Sequence, residues 1–294
     1  MTAVQTPRAA AFELRLPSEG ALALGGNLPC RVMGILNVTR DSFSDGGRFL
    51  DASEAVEHAL RMAEEGADII DVGGESTRPG SEPVPPDEQA RRILPVIERI
   101  ASQSAVPISV DTSSADVARK ALDAGAGIVN DITALRGDPA LAPLVAERGV
   151  PLALMHMLGA PRDMQKNPVY DDVVSDVAGF LEERVEFAVS RGIERDQIVV
   201  DPGFGFGKTL AHNLALLRRL DEFHALGRPV LVGTSRKSMI GAILGRPTDE
   251  RLFGSLATVA AAVERGAAIV RVHDVRPAVD VVRVMAAILG RAQA

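Results

Sequence analysis

VPISVDTSSADVARKALDAGAGIVND, residues 106–131, holds the unit from which the rest of the chain is built. Val106–Val110 is an apolar run without polar alternation, the pattern of a strand buried on both faces of a parallel sheet. Asp111 and Thr112 end it, a helix is predicted over 114–124, and Gly127–Val129 begins a second run that stops at Asn130 and Asp131. Strand, polar turn, helix and strand in that order make a βαβ unit.

The unit recurs. Apolar runs of the same kind lie at Val32–Leu36, Ala67–Val72, Pro151–Met155, Gln197–Val200, Pro229–Val232 and Ala268–Val272, which with the two above makes eight. Between the first two, Asp51 and Glu54 have capping-box spacing, Ala52, Ala55, Val56, Ala59, Leu60 and Ala63 repeat at helical intervals, and Gly66 can end the helix. Pro86 opens another helix with Ala90, Ile93, Leu94 and Ile97 on one face. Further helices are predicted over 171–191, 209–220, 252–265 and 277–289. Eight strands alternating with helices predict an α/β fold, a single (β/α)8 TIM barrel. The alternative, a doubly wound open sheet, more often has fewer strands and a ligand-binding turn near the first one. Upstream, Phe12–Leu16 alternates apolar and polar, and Ala21–Leu24 suits its partner in a short N-terminal β-hairpin. The expected division is a leader and hairpin over 1–30 and a barrel over 31–294, with no compositional break inside the barrel.

Composition narrows the function. With 46 % hydrophobic and 24 % charged residues the chain is not a disordered one. No apolar run approaches the roughly 18 residues of a membrane span, and no apolar segment precedes the early Arg8 as a signal peptide would require. The single Cys30 excludes an internal disulfide and a cysteine-based zinc or iron–sulfur site, so a cytoplasmic protein is expected. A net charge of −7, with nine Phe, one Tyr and no Trp, argues against nucleic-acid binding. An anionic substrate would need a local cationic pocket.

The polar residues that follow the apolar runs supply one. They are Asn37, Asp71 to Glu75, Asp111, Asn130, His156, Asp201, the stretch from Gly233 to Lys237, and Arg271 with His273. In a barrel all of them converge on the C-terminal mouth, where active sites lie. Loops favour Asp, Asn and Gly on their own account, which explains some of the ring. It does not explain Asp111 and Asp201, set directly after apolar runs, where a carboxylate is costly unless paired or liganded. Asp111, Asn130 and Asp201 suit the edge of an amino-pyrimidine, and Lys237, Arg271 and His273 suit an anion. Asn37 and Asp45 could offer oxygen to a phosphate-bound Mg2+, which takes few protein ligands. A mouth histidine bonding only to backbone is the plainer reading of His273, but its place two residues after Arg271 favours ligand contact. Two features are decoys. Gly203 to Thr209 (GFGFGKT) is one residue short of a P-loop, so its glycines are read as allowing a tight turn beside a ligand. His156, between Met155 and Met157, lacks a second metal ligand at suitable spacing and is read as an apolar step in the mouth.

Six stretches together resemble the dihydropteroate synthase family: MGILNVTRDSFSDGG from Met33 to Gly47, DVGGESTRPG from Asp71 to Gly80, SVDT ending at Thr112, DPGFGFGK from Asp201 to Lys208, SRKS from Ser235 to Ser238, and RVHD from Arg271 to Asp274. The likeness runs over about residues 31–290. It implies a barrel transferase of folate biosynthesis, the sulfonamide target, that joins 6-hydroxymethyl-7,8-dihydropterin diphosphate to 4-aminobenzoate with Mg2+. By motif, it implies that Asp111, Asn130, Asp201 and Lys237 hold the pterin, with Met155 lining that pocket. Asn37 would bind metal, and Arg271 and His273 the diphosphate. Phe43, Asp45, Thr77, Arg78, Pro79, Ser235 and Lys237 would surround the loops and the aminobenzoate. Asp111, Lys237, Arg271 and His273 form the implied catalytic set, acting by dissociative loss of diphosphate and attack of the amine. A homodimer through helices in 252–265 and 277–289 is also implied. Arg40 departs from the family pattern, where Pro or an acidic residue is more usual. A methyltetrahydrofolate-dependent corrinoid methyltransferase would share the pterin residues without the Asn37–Gly47 and Ser235–Ser238 motifs, and a non-catalytic paralogue would show degraded loops.

Overall fold

Arg31–Asn37 (β3) shows how the strands are made: five successive residues, Val32 to Leu36, are buried, so both faces of the strand are covered. The computed structural model describes residues 10–17, 20–38, 47–76, 81–159 and 163–291, with the side chains of 47–51 left aside. Within these, Ala11–Arg15 (β1) and Ala21–Gly25 (β2) form an antiparallel hairpin. The other strands are β3, Ile69–Gly73 (β4), Ile108–Asp111 (β5), Ile128–Asp131 (β6), Leu152–Met155 (β7), Ile198–Asp201 (β8), Leu231–Val232 (β9) and Ile269–Val272 (β10). All pair in parallel in the order β8-β7-β6-β5-β4-β3-β10-β9, and the bridge between Val200 and Val230 brings β8 and β9 together. The barrel predicted from the eight apolar runs is the fold.

Helices fill the crossovers. Pro86–Gln103 (α2) starts on a proline whose missing N–H costs nothing there, and buries Ile93, Ile97 and Ile100. Val173–Ser190 (α5) is capped by Asp172, and Leu210–Arg218 (α6) by a reciprocal box between Thr209 and His212. Gly47–Glu64 (α1) corrects one expectation. It begins before Asp51, which therefore sits inside the helix and is not its cap; Gly66, at φ 99, does end it. Ala115–Asp123 (α3), Leu252–Glu264 (α8) and Val275–Ile288 (α9) match predicted segments. Leu141–Arg148 (α4) and Ser238–Leu244 (α7) were not predicted, being too short for a clear apolar period. Among the described residues, no helix is long and apolar enough to cross a membrane.

One large apolar layer lies between strands and helices. A second fills the barrel where the strands begin: Leu14, Leu22 and Leu24 of the hairpin pack on Met33, Ile69, Ile128, Val199, Leu231 and Ile269. The hairpin therefore closes the end opposite the mouth.

Candidate active site

Strand register gathers the predicted residues. Asn37 lies opposite Gly73, Gly73 opposite Asp111, and Asp111 opposite Asn130, so one rung crosses four neighbouring strands. On the next pair Met155 lies opposite Asp201. Asn37, Asp111, Asp131 and Asp201 are the last residues of their strands, not the first of the loops, because they still share the ladder. A Cβ on Gly73 would make ordinary contact with both side chains, 3.7 Å from Asn37 Oδ1 and from Asp111 Oδ2.

Arg271 is the hub. Its Nε donates to Asp71 Oδ2 at 2.6 Å and its Nη2 to Asp111 Oδ2 at 2.7 Å. Asn130 Nδ2 also donates to Asp71 Oδ2, at 3.1 Å. Asp71 is fully buried, and among the described residues its Oδ1 has no hydrogen-bond partner. Burial pushes Asp111 up to about 7; the Arg271 charge opposes that rise, and Asp71, Asp131 and Glu75 add to it. Burial works against the Arg271 charge too, but Asp71 and Asp111 more than offset it and hold the guanidinium charged.

Burial likewise raises Asp201, against the pull of Lys237 and a hydrogen bond from Gly203 N to Oδ1 at 2.7 Å. It lowers Lys237 to about 8, opposed by Asp201. Lys237 Nζ donates to the Phe204 carbonyl and stands 4.3 Å from the centre of the Phe206 ring. Ser235 Oγ is 3.2 Å from the backbone N of His273 and 3.1 Å from its Nδ1. A cavity of about 390 Å³ opens over this cationic side, lined by Asn37, Phe206, Ser235, Lys237, Arg271 and His273 among others. Asp111, Asn130, Met155 and Asp201 are buried and do not line it; Asp111 joins it through Arg271. Phe43, Asp45, Thr77, Arg78, Pro79 and Arg40 lie outside the described residues.

The glycine-rich stretch is a turn and not a phosphate loop. Gly203, Gly205 and Gly207 all have left-handed backbones, and a Cβ on Gly203 would collide with the His156 carbonyl oxygen. Lys208 points inward, its Nζ donating to the Phe206 carbonyl at 3.0 Å and meeting His156 Nδ1 at 2.9 Å. His156 is therefore not the apolar step expected; burial, with Lys208 beside it, pushes its pKa down to about 2 and leaves a neutral ring. Sequence reasoning put Asp71 in the ring at the mouth but gave it no role, and it passed over Phe206. Both stood inside quoted motifs, but only the fold shows Asp71 reaching Arg271 on a strand 200 residues away.

A family model described as pterin binding enzyme matches residues 33–273. A dihydropteroate synthase of Escherichia coli strain K12 is 51 % identical over 258 residues, covering 88 % of this chain and 91 % of the relative. The chain belongs to the dihydropteroate synthase family. It is thus a transferase of the dihydropteroate synthase type. The solved structure of Xanthomonas albilineans dihydropteroate synthase with 4-aminobenzoic acid superposes with a TM-score of 0.88 at 48 % identity, covering 95 % of this chain and 99 % of that one. The same synthase in complex with 7,8-dihydropteroate gives 0.84 at 45 % identity, over 94 % and 98 % of the two chains.

Proposed function

We propose that the mouth condenses 6-hydroxymethyl-7,8-dihydropterin diphosphate with 4-aminobenzoate, releasing 7,8-dihydropteroate and diphosphate. The observation that carries this reading is the Asp71–Arg271–Asp111 bridge, which joins a buried acidic pocket to a cationic cavity. Asp111, Asn130 and Asp201 accept the donors of the pterin ring, and Met155 covers a face. As the pterin takes Asp111, the Arg271 guanidinium turns to the diphosphate while Asp71 keeps hold of its Nε. The C–O bond to diphosphate breaks, the bonding pair leaving with the oxygen, and Arg271 and His273 stabilise that charge. Asp111 and Asp201 stabilise the cation left on the pterin. The arylamine, held beside Lys237, Ser235 and Phe206, then attacks the same carbon and passes its extra proton to solvent water. Phe43, Asp45, Thr77, Arg78 and Pro79 are proposed for substrate contact on the family motif alone.

The donors present fit Mg2+ as a partial shell. Asn37 Oδ1 and Asp111 Oδ2 both lie 3.7 Å from the point where a Cβ on Gly73 would stand, and among the described residues no three His, Cys, Asp or Glu side chains form a metal cage. Mg2+ keeps waters and takes substrate phosphate, so one carboxamide suffices. Asn37 would hold it, and when bound it supplies charge to neutralise the leaving diphosphate.

The proposed partner is a second copy of this chain. Ile243, Leu244, Phe253, Val284 and Ile288 are exposed on α7, α8 and α9, Phe253 to 82 %. Residues 31–294 are the proposed catalytic unit and 1–30 its leader, in a cytoplasmic protein. The test is diphosphate release on mixing both substrates with Mg2+. Release equal to the dihydropteroate formed when 4-aminobenzoate is present is expected; diphosphate release with no dihydropteroate formed in the presence of 4-aminobenzoate would overturn the reading.

A further inference from the structure

β6 ends on two side chains with different tasks. Asn130 is buried and donates to Asp71. Asp131, fully buried, wraps the turn that follows: Oδ1 accepts from the Thr133 backbone N at 2.8 Å and its hydroxyl at 2.7 Å, and Oδ2 from the Leu135 N at 2.6 Å. Within that turn Ala134 and Leu135 have φ 52 and 62. Both carry a Cβ, and consecutive left-handed residues other than glycine are disfavoured. They persist where the surroundings over-determine them, and such places cluster at functional sites.

The surroundings here are two arginines. Arg184, on α5 and itself buried, donates from Nε to the Ala134 carbonyl at 2.8 Å, with its guanidinium 4.0 Å from the centre of the Phe187 ring. Arg136 donates to the Thr133 carbonyl at 3.0 Å and, across to the loop after β7, to the Met157 carbonyl at 2.9 Å. Ile132, the first residue after Asp131, packs with Met155, Met157, Met164 and Phe206, of which Met164 and Phe206 line the cavity. The turn is thus fixed on its outer side by α5 and presents its inner side to the pterin pocket.

We propose that Arg184 is a positioning residue for pterin binding: by holding the Ala134 carbonyl it keeps the left-handed Ala134–Leu135 turn in place, and with it Asn130 and Ile132. The proposal rests on the dihydropteroate synthase reading above. A residue that only filled space under α5 would affect stability alike whatever stood at position 134. A residue that holds an unfavourable backbone becomes less necessary once the backbone is no longer unfavourable.

The experiment is steady-state kinetics and thermal unfolding of wild type, Arg184→Met, Ala134→Gly and the double variant. Met keeps the length and apolar contact of the side chain and removes the donor. Arg184→Met should raise the KM for pterin diphosphate about tenfold with kcat changed less than about threefold, a loss of ground-state and transition-state binding together. Ala134→Gly should stay near wild type. The double variant should recover most of the lost affinity, because glycine adopts a left-handed backbone without cost from a Cβ. An unmoved KM in Arg184→Met, or a raised one that Ala134→Gly leaves in place, overturns the proposal. Should Arg184→Met not fold, Arg184→Leu, which also removes the donor, carries the same comparison. Failure of the underlying reading is distinct: the wild type would then form no dihydropteroate before any variant is compared.

Discussion

At the end where the strands begin, Leu14, Leu22 and Leu24 pack on Met33, Ile69, Val199 and Ile269; at the end where they finish, Asp71, Asp111, Asp201 and Lys208 are buried as well. The first layer gains free energy from removing apolar surface from water. The second loses it, because each buried charge is taken from water and only partly recompensed: Arg271 is shared between two carboxylates, and Asp71 Oδ1 has no partner among the described residues. Buried charge poised in this way is what a site needs if it is to meet charge that develops during reaction. The hairpin end is built for stability and the mouth against it.

Arg271→Ala should give the largest effect. Loss of one preorganised group facing developing charge costs about 10²–10³ in turnover. Breaking a buried pair costs about 3–5 kcal/mol besides, here because Asp71 and Asp111 stay behind uncompensated. Turnover and thermal unfolding measured together check both. Turnover within tenfold of wild type would move the diphosphate site away from this residue and remove the bridge from the mechanism.

Leu24→Ala probes the other end. Leu24 is fully buried in the hairpin layer, so the change should cost about 2–5 kcal/mol of stability, through lost transfer energy and the cavity left. The value of kcat/KM should stay within twofold of wild type, measured well below the new melting temperature. If turnover falls in step with stability, the two ends are not independent.

How much of this was legible in the sequence differs between the ends in the same way. Continuous apolar runs declare parallel strands locally, so all eight were readable, as was the hairpin from its alternation at Phe12–Leu16. The strand ends Asp111, Asn130 and Asp201 were readable because a polar residue after such a run has few other uses. What no local pattern carries is a partner distant in the chain. Asp71 looked like one polar residue of a motif until Arg271 was placed beside it, and nothing in the sequence sets Arg184 apart within the helix predicted over 171–191; its place under Ala134 is visible only in the fold. The P-loop likeness of Gly203–Thr209 was set aside on spacing, and the stretch is a turn; what spacing does not contain is the tertiary reason that Lys208 faces His156.

The finest prediction is that pH moves activity and stability in opposite directions at the mouth. Asp111 accepts the pterin's donors only when ionised, and burial has pushed it up to about 7. The value of kcat/KM for pterin diphosphate, which reports the free enzyme, should therefore fall as pH drops below that value. It should fall again above about 8, where Lys237, lowered by burial, loses its charge. Stability follows the other sign. A carboxyl whose pKa is raised on folding binds its proton more tightly in the folded state. The stability this confers is complete below the ordinary Asp value of 3.8 and is lost as pH climbs to about 7. Over that interval activity should rise while the Asp111 contribution to stability disappears. Asp111→Asn should flatten both curves at once, at a lower overall rate, and Lys237→Arg should carry the alkaline limb upward, since a guanidinium stays charged. Titration of the substrate's own diphosphate is common to all three proteins and cancels in the ratio of each variant to wild type. An acid limb that survives unchanged in Asp111→Asn would assign the titration to another group and leave the bridge with Arg271 a structural contact only.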